Sequence, residues 1–387
     1  MIGMSEPTSI QSVPKQRIVA LDLMRGYFIL IIASIHLAYY PSLFGAFDGR
    51  GQLWVSEAEG FFFISGLLIG IIRRSDIEKL GLKFAIKRML LLGKKVYFAA
   101  IFLSFAYLLL AALSHTVGIS GSKDGFDFDD KVISIIGRVI TLKYSYGWAD
   151  FLGYYAAFMF MAPLVLSLLY KKLWWIVGAG SITLYIMRWA GDYGAFNPLM
   201  QWQIYFFFGS IIGYYWYELS GRIVAMKLSA RRLTARASIA VSASTMAISA
   251  VVVFTPAAYA TKAVPSGKIG HLVGNIKNAS TNTIYDSLFL HGRIGLLRPL
   301  IALLVFAGLF AFVFTYERQI MKHFGKLLVP FGQNSLYVYI MQSLCLFIVP
   351  FWIRSSSFWV NSLIELSIVA AIWISLKYKF LFKIIPR

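Results

Sequence analysis

Long, nearly unbroken apolar stretches recur along the chain, separated by polar, glycine-containing or basic connectors. Each is close to the twenty or so residues that an α-helix needs to cross a bilayer. The pattern predicts ten spans, at residues 19–41, 56–72, 96–114, 149–170, 173–190, 199–217, 237–257, 294–316, 333–353 and 357–376. The expected architecture is all-α, a polytopic membrane protein. A polar tail over 1–18 leads into one transmembrane domain over 19–376, followed by a short tail over 377–387. No long polar region interrupts the series, so a set of soluble domains is excluded, and no internal repeat or low-complexity segment appears.

Composition agrees. Of 387 residues, 59% are hydrophobic and only 14% charged, with a mean hydropathy of +0.70, well outside the range of soluble domains. The net charge of +20 would suit nucleic acid, but the basic residues gather in short connectors, where they report topology instead. With the N-terminus in the cytoplasm, 24 of the 37 Lys and Arg residues fall in six inner segments. The densest are 73–95 and 218–236. The acidic loop 115–133 then lies outside, and both termini are expected in the cytoplasm. The N-terminal stretch lacks a small-residue cleavage pattern, which predicts no removable signal peptide. The single cysteine, Cys345, allows neither an internal disulfide nor a cysteine metal cluster. Two long external segments are expected, 115–148 with a short surface helix near 130–142, and 258–293 with His271, Asp286 and His291.

Charged side chains inside a span are costly and usually face a partner or an internal cavity. The first span contains Asp22, Arg25 and His36. Asp22 and Arg25 are three residues apart and can pair, and Arg25 can also snorkel to the inner surface. Arg25 and His36 are eleven residues apart, so on a helix they stand on one line about 16 Å apart, turned by only about 20°. Such a line suits a long, extended substrate. The second span opens SEAEGFFFISGLLIG, residues 56–70. It is expected to bring Glu59 to the depth of His36, where a carboxylate can orient an imidazole and stabilise its cation. Gly60, Ser65, Gly66 and Gly70 include a small-xxx-small arrangement for close helix packing. Arg73 and Arg74 open the basic inner segment, where they can serve orientation and lipid contact or hold phosphates.

At these residues the chain resembles a known group. RIVALDLMRGYFILIIASIH, with its arginine and histidine eleven apart, resembles the start of the membrane-bound acyltransferase family 3 superfamily. SEAEGFFFISGLLIG is similar to the second-helix motif of the OpgC family, which includes succinyl transferases of osmoregulated periplasmic glucans. FNPLMQWQIYFFFGSIIGY (196–214) and FGQNSLYVYIMQSL (331–344) resemble later segments of that family. The first motif has LDLMRGY where many relatives place Gly after Asp, and the second has FFFISG in place of a Val-containing form. The resemblance implies an enzyme of the bacterial inner membrane. It would move an acyl group, succinyl or acetyl, from cytoplasmic acyl-CoA to a hydroxyl of an extracytoplasmic glycan. His36 would be the catalytic histidine, Arg25 its paired arginine and Glu59 the acidic residue of the second helix. On this reading the CoA head stays at Arg25, Arg73 and Arg74, the pantetheine arm threads between helices, and His36 acts as general base with Glu59 orienting it.

Other polar positions supply substrate-binding candidates. Gln201, Gln203 and Trp202 are expected near the outer end of the sixth span, for sugar binding or, for Trp202, interfacial anchoring. Trp148 and Asp150 open the fourth span, where Asp150 binds a hydroxyl or caps the helix. Arg293 and Arg298 flank the start of the eighth, where an arginine would favour a succinyl carboxylate over acetyl or contact headgroups. Gln333, Asn334 and Ser335 begin the ninth, as caps or CoA contacts. The other histidines, His115, His271, His291 and His323, show no metal-ligand spacing, so no metal is expected. The expected partners are membrane lipids and the glycan, with no nucleic acid, and a homo-oligomer is compatible with the sequence. A glycan or lipid transporter and a sugar N-acyltransferase are the competing readings. CoA binding separates a transporter from the enzymes, and acceptor chemistry separates the two enzymes.

Overall fold

The computed structural model describes residues 18–46, 48–116, 132–142, 149–260, 289, 295–352, 357–382 and 385. Among these there are helices and turns but no strand. The helices are α1 (Val19–Leu37), α2 (Glu57–Leu80), α3 (Leu82–Thr116), α4 (Val132–Ile140), α5 (Asp150–Tyr170), α6 (Trp174–Ala190), α7 (Asn197–Tyr214), α8 (Trp216–Ala225), α9 (Leu228–Ala260), α10 (Arg298–Thr315), α11 (Glu317–Gln333), α12 (Ser335–Trp352) and α13 (Phe358–Lys377). Each of the ten expected spans falls on one of them. Six, namely α1, α3, α5, α9, α10 and α13, are long and apolar enough to cross a membrane by length and composition. Of the other four, α6 has only 17 residues, while α2 and α7 carry glycines with Glu59, Gln201 and Gln203.

Helix α1 is the axis of the bundle. Within its apolar span 72% of the residues are buried, against 11% for α9, which lies at the periphery. Its neighbours include α2, α10, α11, α12 and α13. Close approach is set by small residues. A Cβ on Gly66 would collide with the Phe206 carbonyl, and one on Gly70 with Ser210 and Tyr214; reciprocally, Gly209 and Gly213 of α7 abut the Phe63 and Leu67 backbones of α2. Two small-xxx-small ridges thus interlock, as expected from the second-span motif. The same device joins α1 to α11, where Gly26 abuts Leu328 and Gly332 abuts the Asp22 carbonyl.

Three basic inner segments expected as connectors are largely helical, 218–236 falling on α8 and the start of α9. The basic stretch 73–95 continues α2 to Leu80 and then forms the start of α3, with Gly81, at φ +85°, as the break between them. Residues 317–332, also basic, belong to α11. Lys and Arg are good helix formers, so a basic connector next to an apolar run extends the helix rather than ending it. The short surface helix expected near 130–142 is α4. It buries Ile135 and Val139 while Ile133, Ile136 and Ile140 stay exposed, and its end is held by Tyr97, whose hydroxyl donates to the Ile140 carbonyl at 2.7 Å.

The connector between α1 and α2 folds back over the bundle. The Leu43 N–H donates to Ser362 Oγ at 2.9 Å, Asn361 Nδ2 to the Pro41 carbonyl at 3.0 Å and the Trp54 N–H to Ser249 Oγ at 2.8 Å. It is thereby tied to α13 and α9, and it delivers α2 into the middle of the bundle.

Candidate active site

The line drawn along α1 is lined by other helices. The Arg25 guanidinium lies 5.5 Å from the centroid of the Phe61 ring, a cation–π distance. Beside it is a cavity of about 10 Å³, lined by Arg25, Phe61, Tyr155, Ser335 and Tyr339 among others, room for about one water. At the other end of the line, the His36 ring meets Tyr339 edge-on, with centroids 6.4 Å apart and planes at 87°. Tyr339 therefore touches both ends: it lines the Arg25 cavity and packs on His36. It is 1% exposed and stacked on Phe151 at 5.2 Å. The passage expected between Arg25 and His36 is occupied at this point by the Tyr339 ring.

Glu59 does not join this line. Gly60 closes on the Phe28 ring and Phe61 reaches Arg25. The start of α2 is thus in register with the middle of α1, not with His36. Glu59 is fully buried and meets Arg298 instead, accepting from Nε at 3.0 Å, with Nη2 2.9 Å away. The same Oε1 accepts from the Tyr205 hydroxyl at 3.1 Å, and Oε2 accepts the Ser56 N–H at 2.9 Å. The last contact is the return half of a capping box that starts α2. Arg298 also donates from Nη1 to the carbonyls of Leu53 at 3.1 Å and Phe289 at 3.3 Å. Its guanidinium is turned onto protein acceptors, so it is not arranged as a clamp for a donor carboxylate. The pair joins α2, α7 and α10 through one carboxylate.

A second buried acidic group lies on another face of α1. Ser34, two residues before His36 and so about 200° around the helix from it, has its Oγ 2.9 Å from Asp48 Oδ2 and 3.5 Å from Glu365 Oε1. Ser42 donates to the same Glu365 oxygen at 3.0 Å, and Tyr40 to Asp48 at 3.3 Å. Asp48 and Glu365 are each 1% exposed. The group pins the α1–α2 connector and α13 to α1. Sequence reasoning missed Glu365, although a lone acid within an apolar span was the available signal.

The two basic candidates at the Arg25 end have carboxylate partners. Arg73 pairs with Asp76, which Arg88 approaches at 3.3 Å. Arg74 pairs with Glu78 at 3.0 Å and Glu218 at 2.5 Å, and donates to the Tyr214 carbonyl at 2.8 Å. Asp150, the first residue of α5, accepts the N–H of its neighbour Phe151 at 2.7 Å. Trp202 packs inward on Phe62 at 5.5 Å. Gln203 exchanges hydrogen bonds with Ser181, accepting its hydroxyl at 2.6 Å and donating to its carbonyl at 2.8 Å, which locks α6 to α7. Gln201 is buried at 7% exposure, and its Nε2 has no hydrogen-bond partner among the described residues. Trp148, His271, Asp286, His291 and Arg293 lie outside the described residues. Among the described residues, no group of three His, Cys, Asp or Glu side chains could hold a metal.

A family model described as OpgC protein matches residues 17–384. No curated protein and no solved structure matches the chain.

Proposed function

The chain belongs to the OpgC protein family, and from that premise we propose a membrane O-acyltransferase of the glucan succinyltransferase type. Succinyl is the favoured acyl group, carried by cytoplasmic acyl-CoA, and the acceptor is a hydroxyl of an extracytoplasmic glycan. The wider placement in the membrane-bound acyltransferase family 3 superfamily rests on the first-span motif. Ten spans with both termini in the cytoplasm of a bacterial inner membrane complete the reading; the basic inner segments support it.

The observation that carries the proposal is the alignment along α1 of Arg25, the cavity that it shares with Tyr339, and the His36 ring packed on Tyr339. A cation at one end suits a phosphate-bearing head, and an imidazole at the other suits proton transfer. With the thioester beside His36, the acceptor hydroxyl attacks the thioester carbon while the imidazole takes its proton. The tetrahedral intermediate then expels the CoA thiolate, which recovers a proton from the imidazolium. The ester and free CoA are the products, and no acyl-enzyme forms. Donor binding requires the Tyr339 ring to turn out of line. Arg73 and Arg74, already balanced by carboxylates, contribute less to holding the CoA head than Arg25 does. Glu59 and Arg298 act on the site through the backbone they fix rather than through His36.

The test uses purified protein in nanodiscs, labelled succinyl-CoA and a periplasmic glucan preparation, with ester formation read by mass spectrometry. His36→Ala is expected to lower transfer by about 10²–10⁴-fold while CoA binding persists. Transfer at the wild-type rate from that variant would remove the mechanism.

A further inference from the structure

Gln342 of α12 is fully enclosed, yet among the described residues neither its Nε2 nor its Oε1 has a hydrogen-bond partner. A buried amide left unpaired is costly, about 1–3 kcal/mol per group, and native interiors rarely tolerate one without a reason. The position of Gln342 supplies a reason. Ser335 and Tyr339 of the same helix line the Arg25 cavity. Gln342 follows Ser335 by seven residues, a rotation of only about 20° from the same face and a rise of about 10 Å. Helices α1 and α12 run in the same direction: Arg25 shares a cavity with Ser335 and Tyr339, and the His36 ring meets Tyr339. With Ser335 level with Arg25, Gln342 stands about 6 Å short of His36 along the line.

We propose that Gln342 binds the secondary amide of the donor's pantetheine arm nearest the thioester; this rests on the acyl-CoA reading above. That amide offers one N–H and one carbonyl, and Gln342 offers an acceptor and two donor hydrogens, so the two pair reciprocally. Two methylenes separate the sulfur from the amide nitrogen, a reach of about 4 Å at ordinary bond lengths. A thioester at His36 therefore brings its amide close to the depth of Gln342. The Ser335 hydroxyl, also buried and without a partner among the described residues, lies at the Arg25 end of the same face. An apolar chain would leave the Gln342 groups unmet, so the residue selects for an amide-bearing thioester.

The experiment compares two truncated donors with the full chain in nanodiscs and the glucan acceptor. S-succinyl-N-acetylcysteamine keeps the amide, and S-succinyl-pentanethiol replaces it with carbon. The quantity read is the ratio of kcat/KM for the two, measured in wild type and in Gln342→Leu. Intrinsic differences between the donors cancel when the two ratios are compared. Wild type is expected to prefer the amide donor by 10-fold or more, of the order of one or two buried hydrogen bonds. The leucine variant should retain transfer, with the preference reduced to about 3-fold or less. Gln342→Met, closer in length, repeats the comparison if the leucine variant does not fold. An unchanged ratio in either folded variant, or no preference in wild type, overturns the assignment; both results are also those expected of a bound water. If wild type transfers from neither donor nor from succinyl-CoA, the acyl-thioester reading itself fails, and the Gln342 assignment falls with it.

Discussion

Glu59 and Arg298 place full opposite charges where neither side chain touches solvent. Each is tolerable only because the other is there, with Tyr205, the Ser56 N–H and two backbone carbonyls completing the shell. Removing one member strands the other, which typically costs about 3–5 kcal/mol, whereas replacing both with apolar groups is often far milder. Arg298→Met is therefore expected to lower thermal stability in detergent sharply, and adding Glu59→Leu to recover part of the loss. Recovery stays partial because the double variant leaves Tyr205, the Ser56 N–H and the two backbone carbonyls without these partners. A double variant at least as unstable as the sum of the two singles would show that the pair is not the unit described. At this scale the Arg25–His36 line was legible in the sequence, since an eleven-residue interval on one helix fixes both angle and rise. The partner of Glu59 was not. It depends on the relative register of three helices, which no single-helix periodicity contains, and the connector between α1 and α2 carries Glu59 past His36 to the level of Phe28.

Between helices, the contact that sets the spacing of α2 and α7 is glycine against backbone. At Gly66 an added Cβ would meet the Phe206 carbonyl, which cannot give way as a flexible side chain does, while at Gly180 of α6 nothing lies within 4 Å. Both glycines are helical, and replacing a helical glycine with alanine favours the helix by about 1 kcal/mol. The two substitutions therefore separate packing from propensity. Gly180→Ala should be neutral or slightly stabilising, and Gly66→Ala should lower the melting temperature and the yield of monodisperse protein on size-exclusion chromatography. Equal effects at the two positions would mean that the ridge is not tightly interlocked. The small-xxx-small spacing announced this contact, because it requires only that one face of one helix be bare. What the sequence concealed were the helices within basic connectors. Residues 317–332 look like a loop because charge interrupts hydropathy, yet Leu328 and Gly332 bury a face of α11 against Gly26 and Asp22 of α1. The apolar positions are too few for a span but sufficient for one seam.

For the molecule as a whole, the proposed chemistry needs a defined sidedness: the donor is made in the cytoplasm and the acceptor lies outside, so Arg25 must face in and His36 out. The hydrophobic pattern placed a helix at every expected span, since apolar length is a local property, but sidedness rests on where 24 of 37 basic residues fall. That distribution has a testable consequence. In a Cys345→Ser background, which removes the single cysteine, Lys123→Cys and Lys227→Cys probe opposite sides. Lys123 belongs to the acidic segment expected outside, and Lys227 is an exposed position between α8 and α9, in a basic segment expected inside. A maleimide that cannot cross membranes should label the cysteine at 123 in intact spheroplasts and the one at 227 only after lysis. The reverse pattern would put the Arg25 end outside, away from any cytoplasmic CoA pool, and the transfer direction would have to be abandoned even if His36 proved essential. Labelling of both in intact cells would instead mean that the segments share the outer side, and the number of crossings between them would be even. Since α5, α6 and α7 are the expected spans in that interval, the parity of the crossings and the direction of the reaction are tested by the same measurement.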